Sequence, residues 1–477
     1  MKNIFFVLLI YSMAVYSAIS FEKTFGGTGD DEANSIRQTS DGGYIIAGCR
    51  TDSIVADSMV QYYTLMTMKK INSYGQNEWE KTTAGSSVED MPNEGNCAIE
   101  TNDGGYAVAG CIVGLNHFLH TLIYVLKTDS LGEKQWDYSY GYDSSVSSVA
   151  YDMVQTVDNG YAIAGDNFGS IALAKLDSLG NEEWVNYDLG QGQGRSIIQT
   201  DDKGFVFTGY DDEHLILVKT DSLGNEVWNK NYGGLFSQGY SVKQSSDGGF
   251  IILGKTGQMD YADVAWLIKT DANGELEWSK QYGSIGGNIP NYIGQSIDLS
   301  SDGGYILTGY SYMFSIAQAW LIKVDSEGNE LWEMTYGGAG DDRPSSVQQT
   351  SDGGYIFAGY TDSFGAGGKD MWIIKTDENG TEIESPFLPQ TAELHQNYPN
   401  PFNPSTEISY ALKSEGMVTL SVFNTKGELV STLVNEKKTA GNHTMSFNGE
   451  GLNSGIYFYR LNVDGVVVGS KRMLLIK

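Results

Sequence analysis

Helical periodicity is nearly missing from these 477 residues, and proline is scarce, with eight against 59 glycines. Such a chain reads as all-β and rich in turns. Positive charge is also short: 30 basic residues face 60 acidic ones, a formal net charge of -30. No nucleic-acid partner is expected, because phosphate binding needs a basic stripe. An acidic surface favours solubility outside the cell and attracts cations. Beyond the first twenty residues no run has the length and polarity of a transmembrane helix, so no membrane anchor is expected in the mature chain. Histidine is rare as well. His117, His120 and His214 have no flanking nucleophile motif, His395 and His443 lie in the tail region, and no metalloprotease helix motif occurs, so no catalytic residue is assigned.

What the chain has is repetition. A hairpin tip returns seven times, at Asp41-Gly42-Gly43-Tyr44, Asp103-Gly104-Gly105-Tyr106, Asp158-Asn159-Gly160-Tyr161, Asp202-Lys203-Gly204-Phe205, Asp247-Gly248-Gly249-Phe250, Asp302-Gly303-Gly304-Tyr305 and Asp352-Gly353-Gly354-Tyr355. The intervals between the aspartates are 62, 55, 44, 45, 55 and 50 residues, near the period of propellers and solenoids. A tight hairpin needs positive φ, which glycine takes without penalty, and the aspartate caps its own turn. Apolar strands flank each tip, as in Tyr44-Ile45-Ile46-Ala47-Gly48. A third strand ends in Lys-Thr-Asp or a variant, and a second turn such as Asp221 to Trp228 leads to a tryptophan on a fourth strand.

Tryptophans at that place number six, at 79, 136, 184, 228, 278 and 332, against seven tips. The seventh unit lacks one, while Phe21-Glu22-Lys23-Thr24-Phe25-Gly26-Gly27 matches Trp332-Glu333-Met334-Thr335-Tyr336-Gly337-Gly338. The chain thus starts with a fourth strand and ends its repeats with three. The expected architecture is a seven-bladed β-propeller over residues 21–385, closed by the N-terminal strand; an open solenoid would instead want polar caps. Residues 1–20, with Lys2, an apolar stretch and a small-residue exit, read as a signal peptide.

Cys97 and Cys111 fall on facing strands of one hairpin. Either they form a disulfide, as an oxidising compartment allows, or strained cross-strand geometry leaves all three thiols, Cys49 included, unjoined.

Loops that vary between units are the natural place for binding groups. They offer Tyr62, Tyr63, His117, Phe118, His120, Asp211, Asp212, His214, Tyr261, Tyr312, Phe314 and Phe364 as candidates, since aromatics beside carboxylates suit sugars; they are also ordinary loop residues. The twin loops ending in Asp30-Asp31 and Asp341-Asp342 offer carboxylates to a hard cation such as calcium, although neither has the spacing of a full calcium loop. No other cofactor is implied.

A linker at 386–396 precedes Asn397-Tyr398-Pro399-Asn400-Pro401-Phe402-Asn403-Pro404. Short alternating strands follow, suggesting a small immunoglobulin-like β-sandwich over 397–477. That opening, Thr419-Leu420-Ser421-Val422-Phe423-Asn424 before Lys426-Gly427, Ser454-Gly455-Ile456-Tyr457-Phe458-Tyr459-Arg460-Leu461, and the terminal Lys471-Arg472-Met473-Leu474-Leu475 resemble the C-terminal sorting domain of type IX secretion cargo. The resemblance implies export through the outer-membrane secretion machinery of a Gram-negative bacterium, to the medium or the cell surface. It implies no activity. The functional expectation is therefore a secreted or surface-held module binding an extracellular glycan or protein. The alternatives are a polysaccharide-degrading enzyme on the same scaffold and a non-catalytic structural surface protein.

Overall fold

The computed structural model describes residues 20–477 apart from 57–58, 84–92, 114–119, 142–146, 212, 258–262, 284–290, 314–315, 382–391, 395, 398, 413–415 and 439–440. The chain divides into two compact units, Met1–Ile383 and Glu384–Lys477. All regular structure in the described residues is β-strand.

The first unit is propeller-like. It contains seven open, four-stranded antiparallel sheets. Six are meanders of consecutive strands, such as Asp31–Gln38, Tyr44–Ala56, Met59–Ile71 and Asn77–Thr82. The seventh joins Asp342–Gln349, Tyr355–Thr361 and Asp370–Thr376 to Phe21–Phe25, with Phe21 opposite Lys375 and Phe25 opposite Met371. Second and third strands are buried almost throughout, as in Tyr106–Val113 and Thr121–Thr128, so they read as continuous apolar runs. Fourth strands alternate and cover only one face.

The tips are held by an ion pair repeated seven times. The third-strand lysines 70, 127, 175, 219, 269, 323 and 375 are buried, and each Nζ meets the carboxylate of its own tip aspartate at 2.6–3.2 Å. The aspartate also accepts the glycine N–H two residues on, as Asp41 does from Gly43 at 2.9 Å. The Lys-Thr-Asp ending of the third strand is thereby tied to the tip it faces.

Adjoining sheets are sewn together in two ways. Each fourth-strand tryptophan covers the second-turn glycine of the next sheet: Trp79 Gly132, Trp136 Gly180, Trp184 Gly224, Trp228 Gly274, Trp278 Gly328 and Trp332 Gly380. In the sheet whose fourth strand lacks a tryptophan, Phe21 covers Gly75 of the first sheet and packs edge-on to Tyr44 at 6.1 Å. The first strands are also joined directly. Ser35 Oγ accepts from Ala98 N–H, Cys97 Sγ donates to Met153 O, and Asp152 Oδ2 accepts from Ile197 N–H. Ser196, Ser241 and Ser296 then accept from Val242, Ile297 and Val347, and Ser346 accepts from Ile36 at 3.3 Å, which returns the series to the first sheet.

The cysteine pairing is corrected by the register. Cys97 stands opposite Ala109, and past a bulge at Asn96 it is Glu94 that stands opposite Cys111. The three cysteines are buried thiols with no disulfide among them. Burial pushes the Cys97 and Cys111 thiols up, the latter to about 12.

In the second unit, Glu393–Leu394, Ser405–Leu412 and Gly441–Asn448 form one sheet, and Leu429–Lys438, Gly416–Phe423, Gly455–Val463 and Val466–Leu475 form another. One apolar core, including Tyr410, Val422, Tyr459, Leu461 and Leu475, lies among them. The proline-rich opening is pinned there: Asn397 N–H donates to the Tyr459 hydroxyl at 2.7 Å, Asn397 Nδ2 donates to Thr406 Oγ1, and Phe402 is buried.

Candidate functional site

Each of the seven first strands carries a β-bulge at the same place, visible as a register shift between Ala33 and Ser35, Gly95 and Cys97, Ala150 and Asp152, Gly194 and Ser196, Gly239 and Ser241, Gly294 and Ser296, and Pro344 and Ser346. Bulges re-aim a side chain. The local cause is a glycine in the second strand: a Cβ on Gly48 would overlap the carbonyl oxygen of Glu32, so only glycine lets the bulged backbone come this close.

The bulged residues, Asn34, Asn96, Tyr151, Arg195, Tyr240, Gln295 and Ser345, all line one cavity of about 210 Å3. Every residue lining it belongs to a first strand, and all seven sheets contribute. Its wall is polar on every side. Arg195 stacks its guanidinium 3.9 Å over the Tyr151 ring and donates to the Tyr210 hydroxyl at 3.2 Å. Tyr210 in turn donates a hydrogen bond to Gln193 Oε1 at 2.6 Å, and Tyr240 donates to Gln238. Burial pushes the Tyr151 and Tyr240 phenols well up, so both remain neutral hydrogen-bonding groups at ordinary pH. Such a wall can hold a polar ligand by hydrogen bonds, stacking and one guanidinium.

The loop residues picked from sequence are scattered by comparison. Asp211 and His214 come together, Nδ1 lying 3.4 Å from Oδ1, in a separate cavity of about 350 Å3 with Leu189, Asn229 and Asn231. Asp211 also accepts from the Glu213 backbone N–H. Tyr312 packs on Tyr310 at 6.0 Å, and Phe364 lies 6.5 Å from Trp372. His120 is buried, and Tyr63 is half-buried. His117, Phe118, Asp212, Tyr261, Phe314 and the Tyr62 side chain lie outside the described residues.

At the twin loops, the four carboxylates offered to calcium all have protein partners. Asp31 accepts Gly27 N–H at 2.7 Å and Thr51 N–H at 3.1 Å, and Asp342 accepts Gly338 N–H, the Ser363 hydroxyl and the Thr361 hydroxyl. Asp341 is taken by Arg343 and Tyr360, and Asp30 by Lys369 N–H. These carboxylates fasten glycine-rich turns, and among the described residues no three metal-ligating side chains converge.

Sequence reasoning missed the bulged ring although a signal for it exists. Each bulged residue stands seven positions before its tip aspartate. The neighbouring position repeats, with serine in five of seven units, whereas the bulged position holds five residue types, none more than twice.

No curated protein matches the chain. Solved structures with partial likeness include a streptogramin B lyase, 11% identical, covering 75% of this chain and 97% of its own, with a TM-score of 0.47. A protein of unknown function from Dyadobacter fermentans is 12% identical over 75% of this chain and 98% of its own, at a TM-score of 0.41. One of unknown function from Bacteroides caccae is 14% identical over 55% and 94%, at 0.35. Likenesses this weak speak neither to ligand nor to chemistry. The tail is different: residues 396–476 match the secretion system C-terminal sorting domain. The chain is therefore cargo of type IX secretion, carried to the cell surface or the extracellular space of a Gram-negative bacterium.

Proposed function

We propose that the exported chain is a ligand-binding module: a seven-bladed propeller over residues 21–385, closed by its N-terminal strand, whose central cavity takes an extracellular glycan, with an immunoglobulin-like sandwich at 397–477 as its export address. One observation carries this reading. The scaffold repeats the residues that build it, namely the tip aspartates, the buried lysines and the serines joining neighbouring first strands, and departs from repetition where seven polar side chains face one cavity. Architecture alone would be served by seven identical residues there. A mixed set of amide, phenol, guanidinium and hydroxyl groups instead suits one asymmetric ligand.

The test is a glycan array and polysaccharide pull-down with the exported protein and with Tyr151→Ala/Tyr240→Ala, followed by assay of bound polymer for new reducing ends. Retention by the parent alone, without new ends, is the expected result. New reducing ends would replace this reading with an enzyme, and equal retention by the variant would move the site out of the cavity.

A further inference from the structure

Most buried cations of this acidic protein meet a carboxylate directly. The seven third-strand lysines meet tip carboxylates, Lys243 meets Asp298 at 3.5 Å, and Arg343 meets Asp341 at 3.0 Å. Arg195 is an exception. Its hydrogen-bond partner is the neutral Tyr210 hydroxyl, its face is covered by Tyr151, and its Nε is buried without a hydrogen-bond partner. Among the described residues no carboxylate forms a salt bridge with it or with Arg37, which lines the same cavity; the buried Asp166 acts on Arg195 only at longer range, from the far side of Tyr151, to which it is hydrogen-bonded. The one carboxylate in that wall, Asp152, is already engaged, Oδ1 by Met153 N–H and Oδ2 by Ile197 N–H, each at 2.9 Å.

A guanidinium withdrawn from water without a counter-ion is costly. Anionic side chains are not in short supply, since the chain has twice as many acidic as basic residues. Two arginines at one cavity with no carboxylate in direct contact, in a molecule of net charge -30, therefore leave hydrogen-bond donors for an anion that enters from outside. We infer that this cavity seats the carboxylate of an acidic sugar, received by Arg195 and Arg37 with Tyr151 and Tyr240 flanking the ring. The guanidinium fork fits a carboxylate with two parallel hydrogen bonds, and the phenols serve ring hydroxyls. At about 210 Å3 the space is below the usual range for pockets that enclose a whole drug-sized ligand, roughly 300–1,000 Å3. It suits a single sugar residue.

This inference rests on the glycan-binding reading and narrows it. The experiment is calorimetric titration of the full exported protein with a galacturonate disaccharide, its neutral galactose counterpart and acetylated glycine as a non-sugar carboxylate. Arg195→Gln, Arg37→Gln and Arg195→Lys are run beside the parent, with melting midpoints confirming that each variant folds. Expected is binding of the acidic sugar in preference to the other two, weakened about tenfold or more by either glutamine, the scale of a lost hydrogen bond to a charged group, and less by lysine. Equal affinity for the neutral sugar, unaffected by Arg195→Gln, would overturn the acidic ligand while leaving glycan binding intact. Preference for acetylated glycine would overturn the sugar. Failure of both sugars to bind folded parent protein would overturn this inference and the reading beneath it.

Discussion

Gly180 and Gly248 share a left-handed backbone, with φ of 82° and 85°, but their surroundings differ. A Cβ on Gly180 would lie 2.6 Å from Trp136 of the preceding sheet, whereas one on Gly248 meets nothing within 4 Å. Gly248→Ala therefore bears only the backbone penalty, about 1 kcal/mol. Gly180→Ala adds displacement of an indole ring, a further ~1–3 kcal/mol. Urea denaturation of the two variants should separate them in that order; equal losses would mean that the tryptophan contact contributes nothing. The turn glycines were legible in the sequence because positive φ is a local demand. The partner of Gly180 was not, since Trp136 approaches it from another sheet.

At the scale of elements, strands and tips could be read because alternation and turn chemistry are short-range. The N-terminal strand could be read because Phe21 to Gly27 copies a fourth strand. The bulges were hidden: they arise where two backbones pass closely at Gly48 and its equivalents, and a hairpin counted outward from its tip misses the extra residue. That miscount brought Cys97 and Cys111 together on paper. Of the candidate site, the variable loops drew notice for their composition, while the cavity-lining residues sit inside a repeated motif and looked like part of it. The strand Phe21–Phe25 also supports a prediction. Its removal bares the edge of Asp370–Thr376, deprives Trp372 Nε1 of its 2.7 Å bond to Glu22, and uncovers Tyr44. A chain lacking residues 21–25 should melt earlier and self-associate, as unpaired edges do, and a peptide of the missing sequence added in trans should restore the midpoint. An unchanged midpoint in the shortened chain would show that the strand is dispensable.

For the whole molecule, the seven tips act together under acid. Burial pushes their carboxyls up, but hydrogen bonds from the neighbouring hydroxyl, the lysine and the glycine N–H outweigh it, holding Asp41, Asp103, Asp202 and Asp247 at about 2 and lowering Asp158, Asp302 and Asp352. A carboxylate whose folded pKa is depressed stabilises fully above its unfolded value, about 3.9, and loses that contribution as pH falls through the folded one. Melting midpoints should fall across the window from about pH 4 to about pH 2, and Asp41→Asn should make the fall shallower. A midpoint flat to pH 2 would contradict the role given to the tips. The pairing of Phe21 with Lys375 has one more consequence. Residues at the two ends of the repeat region lie side by side on neighbouring strands, so a short linker could join them. The order of the sheets would then have no privileged starting point, and circular permutants opened at an exposed second turn, such as Asp221 to Asn225, should fold to the same structure.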